Sequence, residues 1–199
     1  MNPKEKNSLQ SIERAIDNDF GIETDFRDYD SKLVISHDVP NIDVISMEQY
    51  IKIFKLLKPS QSLAINIKSD GLFNLIQGFT DEIKHSNYFL FDMSGPEMWK
   101  YISMGIPVYT RMSEYEQEPL FFQESAGVWL DAFEGRWYQE SLINDLLSKN
   151  KKIVFVSREL HNQSYDEQWD FIKRNEFDKN PLVAICTDFP IEAKGFFYV

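Results

Sequence analysis

Between residues 20 and 190 the chain alternates two textures. Short apolar runs, closed by polar or turn residues, are separated by stretches whose apolar positions recur every three or four residues. The runs predict strands at 21–27, 33–37, 63–68, 88–92, 108–111, 128–131, 153–157 and 182–188. The stretches predict helices near 72–84, 96–104, 139–149 and 166–175. Two earlier helices carry start signals. Asn7-Ser8-Leu9-Gln10 offers an N-cap at Asn7 ahead of the stripe Leu9, Ile12 and Ile16, and Ser46-Met47-Glu48-Gln49 precedes Tyr50, Ile53, Phe54 and Leu57, with Pro59 as a stop. The run 33–37 follows 21–27 too closely for a crossover helix, so it continues that strand or pairs with it as a hairpin. No linker, repeat or low-complexity tract interrupts the pattern, which predicts one α/β domain over 1–199.

The strand ends carry the chemistry. Apolar runs terminate in Asp25 and Arg27, His37, Lys68, Asp92, Arg111, Asp131, Ser157 and Asp188. In parallel α/β proteins that edge receives ligands, because the loops leaving it converge there. Strict alternation in Ile22-Glu23-Thr24-Asp25-Phe26-Arg27 puts Glu23, Asp25 and Arg27 on one face and the less polar residues on the other. On a solvated antiparallel strand this is ordinary polar-out alternation; in a barrel clad with helices the charged face points inward, where paired carboxylates need a cation or a partner. Oxygen ligands of this kind suit Mg²⁺ or Ca²⁺. Asn66 and Lys68 share a face in the same way, opposite Leu63, Ile65 and Ile67. Lys68 and Arg111 can each hold a phosphate or simply neutralise neighbouring acids.

The remaining candidates are read more plainly. His37 closes a strand downstream of the carboxylates, His161 follows a strand end, and His85 lies in a polar stretch that reads as exposed. Trp129, Asp131, Trp137 and Tyr138 cluster around one strand end, where the rings can stack on a sugar or glycerol group or pack into the core. Glu114, Glu116 and Glu118 read as a solvated acidic loop.

Composition narrows the classes. With 21 Lys and Arg against 32 Asp and Glu, the formal charge is −11, which excludes a basic nucleic-acid footprint. The single Cys186, in an apolar run, excludes an internal disulfide and reads as a packed strand thiol. Residues 1–8 are polar, and no apolar run approaches the ~18 residues of a membrane span, so a cytoplasmic chain without a membrane span is expected.

Together, Glu5-Lys6-Asn7-Ser8-Leu9, Glu23-Thr24-Asp25, His37-Asp38 and Thr187-Asp188-Phe189-Pro190 resemble the glycerophosphodiester phosphodiesterase family, barrels related to those of the phosphatidylinositol-phospholipase-C type. The segments 66–72, 91–94, 110–116 and 127–134 look like a bacterial subgroup associated with surface-polysaccharide biosynthesis. The resemblance implies a (β/α)8 barrel and metal-assisted hydrolysis of a small phosphodiester. It implies metal ligation by Glu23 and Asp25, with Asn66 where the family has a third, acidic ligand. His37 and Lys68 match catalytic positions, and Arg27, Arg111, Trp129 and Asp131 fall where substrate would be held. The family's opening strand, which ends in His-Arg ahead of the Asn-Ser-Leu helix, has no counterpart. A barrel lacking its first strand is therefore expected, with a gap beside 21–27 and 182–188 that the apolar segment 195–199 could cover. A phosphate-binding barrel without turnover, or inward charges that merely pair with one another, are the competing readings.

Overall fold

The computed structural model describes residues 5–42 and 44–198, so the last residue of the segment 195–199 lies outside it. The chain divides into two compact units, Met1–Val108 and Tyr109–Val199.

The first unit runs α1 (Leu9–Asp17), β1 (Ile22–Tyr29), β2 (Lys32–Ile35), α2 (Met47–Phe54), β3 (Leu63–Ile67), α3 (Phe73–Ile83), β4 (Tyr88–Phe91) and α4 (Gly95–Ser103). Its sheet has the order β2-β1-β3-β4, with β1, β3 and β4 parallel and β2 antiparallel to β1. The hairpin expected at 33–37 thus forms. Its two turn residues, Asp30 and Ser31, both adopt positive φ (50° and 60°), the conformation that matches the twist of paired strands. The cap of α1 sits one residue later than the sequence suggested: Ser8, not Asn7, accepts from the Ser11 amide at 3.2 Å. Asn7 is diverted to β1.

Helices cover one face of this sheet. Phe26 on β1 meets Phe79 on α3 edge-on at 4.9 Å, and Phe79 meets Phe54 on α2 at 5.7 Å. Pairing Asp25 with Asn66 and Glu23 with Ala64 leaves Glu23, Asp25 and Arg27 on the opposite face with Asn66 and Lys68. His85 is not exposed. It is 8% accessible and its Nε2 lies 2.8 Å from the Gln61 carbonyl, because that buried oxygen needs a donor the local sequence does not reveal.

The second unit runs β5 (Tyr109–Met112), β6 (Gly127–Leu130), α5 (Glu140–Ser148), β7 (Lys152–Val156), α6 (Asp166–Arg174), β8 (Val183–Cys186) and α7 (Pro190–Phe197), its strands parallel in chain order. Val128 and Leu130 of β6 and Ile153 and Phe155 of β7 pack against Ile143 of α5 and Phe171 of α6. Arg111, Trp129 and Val154 stand in register on the other face. Gly127 is required where it is, since a Cβ there would lie 2.6 Å from the Lys152 carbonyl and 2.7 Å from the Tyr109 ring. Cys186 is half-buried on β8.

The described part of the segment 195–199 ends α7, where Phe196 and Phe197 both pack on Trp169 of α6 at 5.5 Å. Of the two readings of the ring cluster, Tyr138 takes the core, packed on Phe155 and Phe171. Glu114 and Glu116 are not solvated spectators. Glu114 accepts the amides of Phe133 at 3.2 Å and Glu134 at 2.6 Å, and Glu116 pairs with Arg111 at 3.2 Å, while Glu118 is exposed as expected. The turn after β6 has amides that its own residues leave unmet, and a carboxylate from the preceding loop satisfies them. Among the described residues, no helix is long and apolar enough to cross a membrane.

Candidate functional site

Adjacent parallel strands β1 and β3 bring Glu23, Asp25, Asn66 and Lys68 together. Asp25 is 5% accessible and held from two sides. Lys68 Nζ lies 3.3 Å from its Oδ1, and Asn7 Nδ2 donates to its Oδ2 at 2.7 Å. Asn7 also accepts from the Thr24 hydroxyl at 2.9 Å and from the Asp25 amide at 3.4 Å, so one side chain satisfies the edge of β1 where β2 no longer reaches. Sequence reading missed this role. The positive φ (61°) that turns Asn7 toward β1 is not legible in the sequence.

Surrounding protein atoms, then the Asp25 charge, push the Glu23 carboxyl up to about 8, against the opposing pull of Lys68 and an Asn66 hydrogen bond. Glu23 nevertheless remains exposed to solvent. Crowding and exposure coexist when a side chain lines a recess that water enters, and that water screens the shift. Asn66 supplies the most telling atom: its Oδ1 is buried and accepts no hydrogen bond. An orphaned carbonyl oxygen beside two carboxylates fits a hard divalent cation, which takes carboxylate and amide oxygens alike. Among the described residues there is no group of three or more His, Cys, Asp or Glu that could hold a metal, so any such site depends on the amide.

The other candidates are placed separately. His37 is exposed at the end of the hairpin, its Nδ1 2.9 Å from Asp38, and its carbonyl accepts from Arg27 Nε at 3.1 Å. Ser36, just before it, donates its amide to the Asp25 carbonyl at 3.0 Å, which ties this end of the hairpin to the carboxylate strand. In the second unit Trp129 is buried, Arg111 is half-buried against Glu116, and Asp131 lies 2.8 Å from His161. Trp137 donates its indole N–H to the Asp131 carbonyl at 2.8 Å.

No family model matches the sequence. No curated protein matches it either. Among solved structures, a glycerophosphodiester phosphodiesterase from Thermotoga maritima is similar with a TM-score of 0.50 over 95% of this chain and 82% of that one, at 14% identity. At that identity the likeness bears on the fold alone: the chain has an α/β fold of the barrel type to which that phosphodiesterase belongs.

Proposed function

We propose that the chain is a divalent-cation-dependent phosphodiester hydrolase acting in the cytoplasm on a glycerophosphodiester or on a phosphodiester of a glycan precursor. The observation that carries this reading is the buried, unpartnered Asn66 Oδ1 on the face of parallel strands that also carries Glu23 and Asp25. These three side chains would hold Mg²⁺ or Ca²⁺, whose contribution when bound is to polarise the phosphoryl oxygens. Lys68, already oriented by Asp25, stabilises the negative charge that develops on those oxygens. Arg27, anchored through its Nε to the His37 carbonyl, adds a second cation beside the hairpin end.

His37 supplies the base. An ionised Asp38 can only accept, so it keeps the proton on Nδ1 and leaves Nε2 to take one from the attacking water.

The test uses the full chain with Mg²⁺, Mn²⁺ or Ca²⁺ against glycerophosphocholine, glycerophosphoglycerol and bis(p-nitrophenyl) phosphate. Hydrolysis that needs the cation and is abolished by Glu23→Ala is expected. No product from any substrate, or undiminished hydrolysis by Glu23→Ala, overturns the reading. Calorimetric binding of phosphate without turnover would point to a binding module instead.

A further inference from the structure

The second unit holds a cavity of about 150 Å³ lined by Tyr165, Asp166, Trp169 and Asp170 at α6 and by Glu192 and Phe196 of α7. A space of that size admits a group as large as benzene. Three aromatic rings and three carboxylates border one small volume.

The local sequence builds half of it. Tyr165 and Trp169 are four residues apart and so share one side of the helix, and Asp166 and Asp170 repeat the spacing beside them. Trp169 is 1% accessible, with the half-buried rings of Tyr165 and Phe196 at 4.3 Å and 5.5 Å from it. The side-chain donors of the lining are already spent. The Trp169 indole N–H donates to the Ser157 hydroxyl at 2.8 Å, and the Tyr165 hydroxyl donates to Glu192 at 2.6 Å. A ligand is offered carboxylate oxygen and ring surface, which attract positive charge and repel an anion.

The carboxylates are exposed, and among the described residues none of the three forms an ion pair. Asp166 and Glu192 stand in the first turns of α6 and α7, where the helix dipole favours a carboxylate without any ligand. Asp170 lies a turn further on and lacks that reason. Arg174, one turn away, sends its Nε to the Asp170 backbone carbonyl and not to the carboxylate. Lys173 also turns from these acids: its ammonium stands over the Phe196 ring at 4.8 Å and donates to the Phe196 carbonyl. The ring wall thus already holds one ammonium. The Glu192 hydrogen bond, with the charges of Glu192, Asp166 and Glu159 behind it, pushes the Tyr165 hydroxyl up to about 12, a mark of the negative field there.

That field is not a metal centre, because among the described residues no three His, Cys, Asp or Glu side chains are grouped to hold an ion. Negative charge spread around aromatic walls suits a cation whose own charge is spread over methyl groups. We propose that this cavity binds the trialkylammonium group of a small organic cation, between the Tyr165 and Phe196 rings and with Asp170 as counter-charge. Choline is the simplest ligand of this class, and a phosphatidylcholine headgroup presents the same chemistry. The site lies wholly within the second unit and stands whether or not the chain hydrolyses a phosphodiester.

Tetramethylammonium and choline, titrated into the full chain at constant ionic strength, are the probes. Their methyl protons should receive saturation from the aromatic rings, and the Trp169 indole N–H signal should move along one binding curve. Asp170→Asn, at an exposed position where folding is not at stake, should weaken binding by about three- to tenfold, and Asp170→Lys should abolish it. Phe196→Leu, which keeps the charges and removes a ring, should also weaken it by about three- to tenfold. Ammonium chloride should compete far less well than choline. No binding of either probe, binding unchanged in Asp170→Lys, or ammonium competing as well as choline overturns the proposal. Flotation with phosphatidylcholine vesicles separates the two sources. Co-flotation that Asp170→Lys abolishes assigns the group to a lipid headgroup, whereas choline binding without co-flotation assigns it to a free cation.

Discussion

Lys68→Met separates a cation site from a set of charges that merely pair. In the free protein Lys68 Nζ is 3.3 Å from Asp25 Oδ1, with side-chain exposures of 19% and 7%. Coulomb's law at an effective dielectric of 20 gives about 5 kcal/mol for unit charges at that separation. Roughly half returns when Lys68 no longer has to be desolvated, and Asp25 keeps its 2.7 Å bond from Asn7, so the net loss is about 2–3 kcal/mol. In chelator, urea or thermal unfolding should register this as a fall of about 5–10 °C in Tm. On the proposed reading a divalent cation should then take over the role of Lys68. With its positive neighbour gone, the cation should bind Lys68→Met more tightly than wild type, and at about 100 times its Kd it returns about 2.7 kcal/mol. Calorimetry with Mn²⁺ should show the tighter binding, while phosphodiester hydrolysis is lost because no ammonium remains to stabilise the developing charge. Equal destabilisation with and without cation, together with no heat of binding, would refute the cation site and leave Glu23, Asp25 and Lys68 as a structural network.

The other predictions concern pH and packing. Because the Glu23 carboxyl is raised to about 8, it favours folding fully below its ordinary value of 4.5 and loses that contribution as pH rises through 8. Chelated wild type should therefore lose stability across that window while Glu23→Gln stays flat, and the difference, screened by solvent, should be about 1–2 kcal/mol in urea melts at pH 5 and 8.5. Desolvation works to raise Glu114, but the amides of Glu134 and Phe133 outweigh it and hold its carboxyl below the usual range. Its support is thus present above 4.5 and lost as pH falls through the lowered value; Glu114→Ala should cost about 1–2 kcal/mol at pH 7, a deficit that shrinks toward zero in acid. Gly127→Ala would drive a Cβ to 2.6 Å from the Lys152 carbonyl, and chemical denaturation should show a loss of about 1–3 kcal/mol or more.

What the sequence shows about this fold and site follows from the range of the forces involved. Period-two alternation is local, so the eight strands and the face shared by Glu23, Asp25 and Arg27 can be read from 21–27 and its successors, and structure moves their ends by only one or two residues. The similar local signal for α3, α4, α5 and α6 is equally legible. By contrast, α7 has no regular apolar stripe: Ile191 is 71% exposed while Phe196 and Phe197 turn onto α6, so its helix is a product of docking. Partnerships across long separations are also invisible in a window. Asn7 reaches Asp25 over 18 residues, His85 reaches Gln61 over 24 and His161 reaches Asp131 over 30. Each joins a donor to an acceptor whose need is created only when the strands are in register. Strand-end position flagged both Asp131 and His161, but nothing in their separate contexts joined them.

The neutral residue at position 66 then acquires an electrostatic meaning. The whole chain carries −11, which opposes the approach of any phosphodiester. At the carboxylate strand, Glu23 and Asp25 against Lys68 leave one net negative charge when all are ionised, and a divalent cation turns that into one net positive charge. A third carboxylate in place of Asn66 would bind the cation harder and bring the loaded recess to zero. On the proposed reading, a phosphodiester carries a single negative charge, so an amide at 66 would give up cation affinity and keep the loaded recess attractive to it against the field of the rest of the molecule. The unpartnered Oδ1 and the strongly acidic surface are, in that light, linked: the more negative the protein as a whole, the more a local site that handles a phosphodiester gains from replacing a charged ligand with a neutral one that still offers an oxygen.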